Sequence, residues 1–106
     1  NIEVYSIIDK FLEHARVWIF ANHGDPLVFL SSADIMTRNL DHRVEVGFPL
    51  LDPRIRKEIC DIIDLQLKDN TKCRVIDASN SNTYKKDNGP GYRAQEDIYT
   101  YLKFKK

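Results

Sequence analysis

The stretch "RVWIFANHGDPLVFL", residues 16–30, constrains this chain more than any other. Two runs rich in β-branched and aromatic residues, "RVWIFA" and "LVFL", flank "NHGDP". Side chains of that kind fit a pleated, half-buried surface. The intervening residues favour a turn for separate reasons. Gly and Asn tolerate positive φ, Asp bonds nearby backbone, and Pro pre-sets its own φ. The expected product is a β-hairpin, and the rest of the fold has to accommodate it.

Other elements follow from periodicity. Tyr5, Ile8, Phe11 and Leu12 recur at spacings of three and four, which predicts an amphipathic helix over residues 3–13. Ser31 and Ser32 close the second hairpin strand, and "ADIMTRNL" reads as a short helix or an irregular loop. "RVEVGF" alternates and predicts a third strand. Asp52 before Pro53 is a helix start, an N-cap followed by Pro at the first helical position. That helix is expected to run to about Lys68, with Ile55, Ile59, Ile62, Ile63 and Leu67 on one face. "KCRVID" predicts a fourth strand, "ASNSNTYKKDNGPGY" a loop, and "RAQEDIYTYLKF" a closing helix. The expected fold class is α/β, a mixed β-sheet flanked by helices, in a single domain over residues 1–106.

Charge and cysteine usage exclude some functions. Sixteen basic and sixteen acidic residues balance, so no general electrostatic grip on nucleic acid is indicated. Lys85, Lys86, Arg93, Lys103, Lys105 and Lys106 gather late in the chain and read as a solvated basic tail. No apolar run approaches the ~20 residues a membrane helix needs, and no secretory signal is visible. The chain begins with Asn1 rather than Met and is expected to be a piece of something longer. Cys60 and Cys73 lack CxxC spacing, which favours buried reduced thiols over a disulfide or metal site.

Two stretches could carry chemistry. At the expected helix–strand junction, "HAR" sets His14 two residues from Arg16. On a strand, side chains two apart share a face, whereas on a helix they diverge by about 200°. Strand geometry would put an imidazole able to move a proton beside a fixed cation able to hold a phosphate oxygen. The bland alternative is a helix-capping histidine and an arginine whose stem lies along the surface. The second stretch is "SSADIMTRNLDHRVEV". Ser31 and Ser32 sit at a strand end where hydroxyls and backbone N–H groups can accept an anion. Asp34 could orient a histidine, and Arg38 and Arg43 offer two bidentate phosphate grips. Against this stands a surface lattice of Arg38, Asp41, Arg43 and Glu45, worth little in stability.

The order His-x-Arg, hairpin, Ser-Ser-x-Asp resembles the phospholipase D superfamily signature, His-x-Lys followed by Gly-Ser-x-Asn. Arg16 stands at the lysine, Ser31 at the glycine and Asp34 at the asparagine, and the aspartate usual after the lysine is not clearly present. The longer string "DKFLEHARVWIFANHGDPLVFLSSADIMTRNLDHRVEVGFPLLDPRIR" is similar to the C-terminal part of the large bacterial polyphosphate kinases, in the same order and spacing. The resemblance runs from about Asp9 to Asp77 and continues more weakly through "YRAQEDIYTYL". Three residues depart from the family pattern: His23 stands at a usual Gly, Ile35 at a usual Trp, and His42 at a usual Arg or Tyr.

The resemblance implies a partial phospholipase D-like domain from a cytoplasmic enzyme that reversibly moves the terminal phosphate of ATP onto polyphosphate through a phosphohistidine. That phosphohistidine is expected outside these residues. His14 matches a second family histidine facing it, with nucleotide contact and proton transfer as its implied role. Arg43 matches a family arginine lining the phosphate site. Arg16, Arg38 and Ser32 match further phosphate-site positions, and Asn22, Asp34 and Glu45 supporting ones. The implied partners are ATP, ADP and polyphosphate, with Mg²⁺ as cofactor on ligands outside this segment. The full enzyme is expected to be a homo-oligomer with possible peripheral membrane association. The segment alone is expected to be inactive. A phospholipase D-like phosphodiesterase and a non-catalytic oligomerisation domain remain alternatives.

Overall fold

The hairpin forms where the turn composition puts it. In the computed structural model, which describes residues 1–105, strand β2 (Val17–Phe20) pairs antiparallel with β3 (Leu27–Ser31). The turn between them holds three successive positive-φ residues, Asn22 at 43°, His23 at 55° and Gly24 at 85°. Asn22 stabilises it by donating from Nδ2 to the Asp25 carbonyl. Its place is therefore the turn itself. Gly24 is free of the Cβ clash this conformation imposes, whereas His23 is not.

The described residues fall into two compact units. One is Glu13–Ile59, whose sheet has the order β2-β3-β4, with β4 at Gly47–Pro49. In this register Trp18 faces Phe29 and Phe20 faces Leu27, while Ile19 faces Val28. Pairing residues share a face, so the ring contacts Trp18–Phe20 and Phe20–Phe29 lie on the first face. Val28, only 1% exposed, anchors the opposite one. A short helix, α1 (Thr37–Leu40), follows β3.

The other unit is Asn1–Leu12 together with the chain from Cys60 onward. Its sheet has the order β1-β5-β6, formed by β1 (Val4–Ile7), β5 (Cys73–Ile76) and β6 (Thr83–Tyr84). Helix α3 (Ala94–Phe104) belongs to it. Helix α2 (Pro53–Lys68) contains the boundary between the units. It starts as expected: Asp52 Oδ1 accepts from the Arg54 N–H at 2.9 Å, and Pro53 opens the first turn. Its other end is capped by Lys85 Nζ, which donates to the Leu67 carbonyl.

Four expectations are corrected. The helix over residues 3–13 is instead β1 followed by bends, because Val4–Ile7 pairs residue for residue with Ile76–Cys73. The i, i+3, i+4 spacing was coincidental: Leu12 is 91% exposed, so no buried stripe forms. β-branched Ile2, Val4, Ile7 and Ile8 suit the ladder better than a helix. The strand expected over "RVEVGF" shrinks to Gly47–Pro49, leaving Val44 99% exposed. The single mixed sheet is two three-stranded sheets, antiparallel throughout. The loop after β5 contributes the two-residue β6, too short to leave a periodic signal. Both cysteines are free thiols, with Cys73 buried and Cys60 partly so. Burial pushes the Cys73 thiol up from its ordinary value.

Candidate functional site

Losing the first helix changes how His14 is held. Strand β2 begins at Val17, so His14 lies in irregular chain ahead of it and is exposed. Arg16 is one step outside the strand, yet its carbonyl accepts from the Ser31 N–H at 3.0 Å and so extends the ladder. A shared strand face therefore does not explain the two residues' proximity.

A carboxylate does. Arg16 Nε donates to Asp34 Oδ1 at 2.6 Å, and Nη2 approaches Oδ2 at 3.5 Å. The two side chains are 30% and 40% exposed. Their hydrogen bond is the main cause that holds the Asp34 carboxyl below the usual carboxylate range, with Arg16, His14 and Arg38 adding positive potential. The same bond raises Arg16 further, and Glu45 adds to it. Asp34 thus feels Arg16, His14 and Arg38, and Arg16 feels Asp34 and Glu45, across two separated stretches of sequence. Asp34 holds an arginine rather than a histidine.

Ser32 ties the second stretch down. Its N–H donates to the Val46 carbonyl at 2.9 Å, and its Oγ accepts from the Val46 N–H at 2.9 Å. Its hydroxyl donates to Glu45 Oε2. Ser31 Oγ accepts from the Ala33 N–H at 3.0 Å and shapes the turn into Asp34. Ser32 thereby continues the β3–β4 pairing by one residue with a side chain and fixes Glu45. Arg38 and Arg43 are exposed and form no ion pair among the described residues, so the expected surface lattice is absent there. Asn22 stands apart in the hairpin turn.

A pocket of about 400 Å³ opens beside the Arg16–Asp34 pair, with Trp18, Phe20, Ala33 and Ile35 in its wall. Among the described residues no three His, Cys, Asp or Glu side chains are grouped to hold a metal ion. The cluster's two carboxylates are engaged by Arg16 and Ser32, so the residues present do not make a Mg²⁺ site. Among the described residues, no helix is long and apolar enough to cross a membrane.

Sequence reasoning missed Asp69, in the other unit. It is 0% exposed. Its Oδ1 accepts from the N–H groups of Thr71, Lys72 and Cys73, at 3.1, 2.8 and 3.0 Å. Its Oδ2 accepts from the Ala94 N–H at 2.7 Å. One carboxylate thus joins the α2–β5 turn to the start of α3. Nearby, Arg93 grips Asp9 through two bonds of 2.8 and 2.7 Å. Gln95 holds both backbone polar groups of Phe11.

Comparison with known proteins agrees with this architecture. Residues 1–95 match the family "Polyphosphate kinase C-terminal domain 2". The chain is 53% identical over 104 residues to polyphosphate kinase of Escherichia coli (strain K12), and 52% identical to that of Yersinia pestis. Each alignment covers 97% of this chain and 15% of the relative, so the chain spans about 15% of the length of the curated relatives it matches. The crystal structure of polyphosphate kinase from Porphyromonas gingivalis superposes with a TM-score of 0.93 at 50% identity, over 97% of this chain and 16% of that one.

Proposed function

From the chain's membership of the polyphosphate kinase C-terminal domain 2 family, we propose that it forms part of an ATP:polyphosphate phosphotransferase and supplies one side of its phosphate-transfer site. The observation that carries this reading is Arg16 held by Asp34 in the wall of an open pocket, with His14 and Arg38 adding positive potential at Asp34. A transferring phosphoryl group spreads negative charge over its oxygens, and enzymes of this kind act chiefly by positioning and charge neutralisation. Arginines suit that task because they stay charged and grip phosphate in two-point fashion.

In this reading the terminal phosphorus of ATP is attacked by a histidine nitrogen outside this segment, and its bond to the ADP oxygen breaks. The terminal oxygen of polyphosphate then attacks the phosphorus and releases the histidine. His14, exposed and without a hydrogen bond among the described residues, contacts the nucleotide and gives or takes a proton at the bridging oxygen. Arg43, Arg16 and Arg38 hold phosphate oxygens. Ser32 and Glu45 brace the segment that carries Arg43, because the single Ser32 hydroxyl hydrogen is committed to Glu45. Asp34 orients Arg16, and Asn22 shapes the hairpin. Mg²⁺ would neutralise phosphate charge on ligands supplied elsewhere in the enzyme, so no step here runs through it. A phospholipase D-like domain, a cytoplasmic homo-oligomer with possible peripheral membrane association, and inactivity of the isolated segment belong to the same proposal.

The test compares His14→Ala with Arg43→Ala in the full-length protein. Loss of kcat in the first and a raised KM for ATP or polyphosphate in the second support the assigned roles. Two unchanged variants would leave the segment a structural one.

A further inference from the structure

The Arg16–Asp34 pair presents an unusual geometry for a phosphate grip. Asp34 occupies the Nε–Nη2 edge of the guanidinium, tightly at Nε (2.6 Å) and loosely at Nη2 (3.5 Å). On the remaining edge Nη1 makes no hydrogen bond to a described residue and Nη2 keeps its second hydrogen free of Asp34, while the side chain is part-exposed in the wall of the pocket. A guanidinium has donors for both edges at once. Arg16 can therefore hold a phosphate end-on while Asp34 still holds it side-on. The carboxylate then lies within reach of the phosphate it helps to bind, with the second carboxylate, Glu45, also acting on Arg16.

We infer that Asp34 is a positioning residue with a second effect: it aims the free edge of Arg16 at the phosphate, and its negative charge weakens that grip so that a polyanion can be released. This rests on the proposed phosphate-binding role of Arg16. The arrangement suits a substrate that is a chain of phosphates. A site that met the chain only with arginines such as Arg16 would hold it too firmly to let it advance. One negative charge roughly 6–8 Å from the bound phosphate, partly screened by water, changes affinity by about three- to tenfold.

The experiment titrates tripolyphosphate into the full-length protein and measures steady-state kinetics with polyphosphate. Asp34→Asn keeps an oxygen for Arg16 Nε but removes the charge. It is expected to lower Kd about three- to tenfold, with KM and kcat falling together as release slows. Asp34→Glu keeps the charge and is expected not to tighten binding. Arg16→Ala is expected to raise Kd about tenfold. Unchanged or weaker binding by Asp34→Asn, with weaker binding by Arg16→Ala, would overturn the release role and leave the phosphate-binding proposal standing. Tightening by Asp34→Glu equal to that of Asp34→Asn would also overturn it, because charge would not be the cause. Unchanged binding by Arg16→Ala would remove the proposal on which the inference rests.

Discussion

Replacing Asp69 by Ala should open the unit built on β1, β5 and α3. The carboxylate is 0% exposed and accepts four backbone N–H groups. They are not equal. Thr71 is exposed and Lys72 partly so, and water can replace the oxygen at both. Cys73 and Ala94 are buried, at 1% and 0% exposure, and their N–H groups would be left without a partner. An unsatisfied buried donor costs about 1–3 kcal/mol, so two give roughly 4 kcal/mol. That is a large share of the ~5–15 kcal/mol that holds a typical domain folded. Asp69→Asn should cost less, about 2 kcal/mol, because its carbonyl can serve one set of amides while its NH₂ faces the other as donor against donor. The relatives this chain matches are several times its length, and long chains need not unfold in one step, so the assay is amide hydrogen exchange in the full-length protein, read over residues 69–76 and 93–97. At 1.4 kcal/mol per factor of ten, Asp69→Ala should speed exchange of the Cys73 and Ala94 amides by about three orders of magnitude. Wild-type exchange in that variant would refute the reasoning.

Two further predictions concern the hairpin and the acid limit. His23→Gly should stabilise the β2–β3 turn by about 0.5–1 kcal/mol, because φ of 55° strains a side chain more than the added glycine entropy costs; faster exchange of the turn amides in the variant would contradict this. The Arg93 hydrogen bonds lower the Asp9 carboxyl to about 2 from an ordinary 3.8. A depressed carboxylate stabilises the fold above its ordinary value, and that contribution is lost as pH falls from about 4 through 2. Asp9 should therefore titrate near 2 by carboxyl NMR, with protection of residues 9–11 lost over the same window and an Arg93→Met variant titrating near the ordinary value.

What could be read in the sequence followed local chemistry. The hairpin and the Asp52–Pro53 helix start rest on turn and cap residues whose effects are short-range, and the closing helix on the spacing of Ile98, Tyr101 and Leu102. The first helix was misread because its apolar spacing satisfied a helix while its partner strand, Cys73–Ile76, lay some seventy residues away. A ladder of that separation leaves no local mark. The site divides in the same way. His14, Arg16, Asp34 and Arg38 can be named from motif and spacing, but a strand face shared by His14 and Arg16 does not form, and the Arg16–Asp34 bond joins the two stretches instead. Ser32 was picked out for its hydroxyl, which turns out to be spent on Glu45 and Val46. Asp69 was invisible because nothing in "KDNTKC" distinguishes a buried carboxylate from a solvated one.

The central claim is that His14 takes part in phosphate transfer. It is tested most directly by single-turnover transfer of labelled phosphate from ATP to polyphosphate in the full-length protein carrying His14→Ala. The rate should fall by about 10²–10⁴, the usual worth of a positioned acid–base group, with Asp69-dependent exchange protection unchanged. Transfer at the wild-type rate would contradict a catalytic part for His14 and leave these residues a structural one.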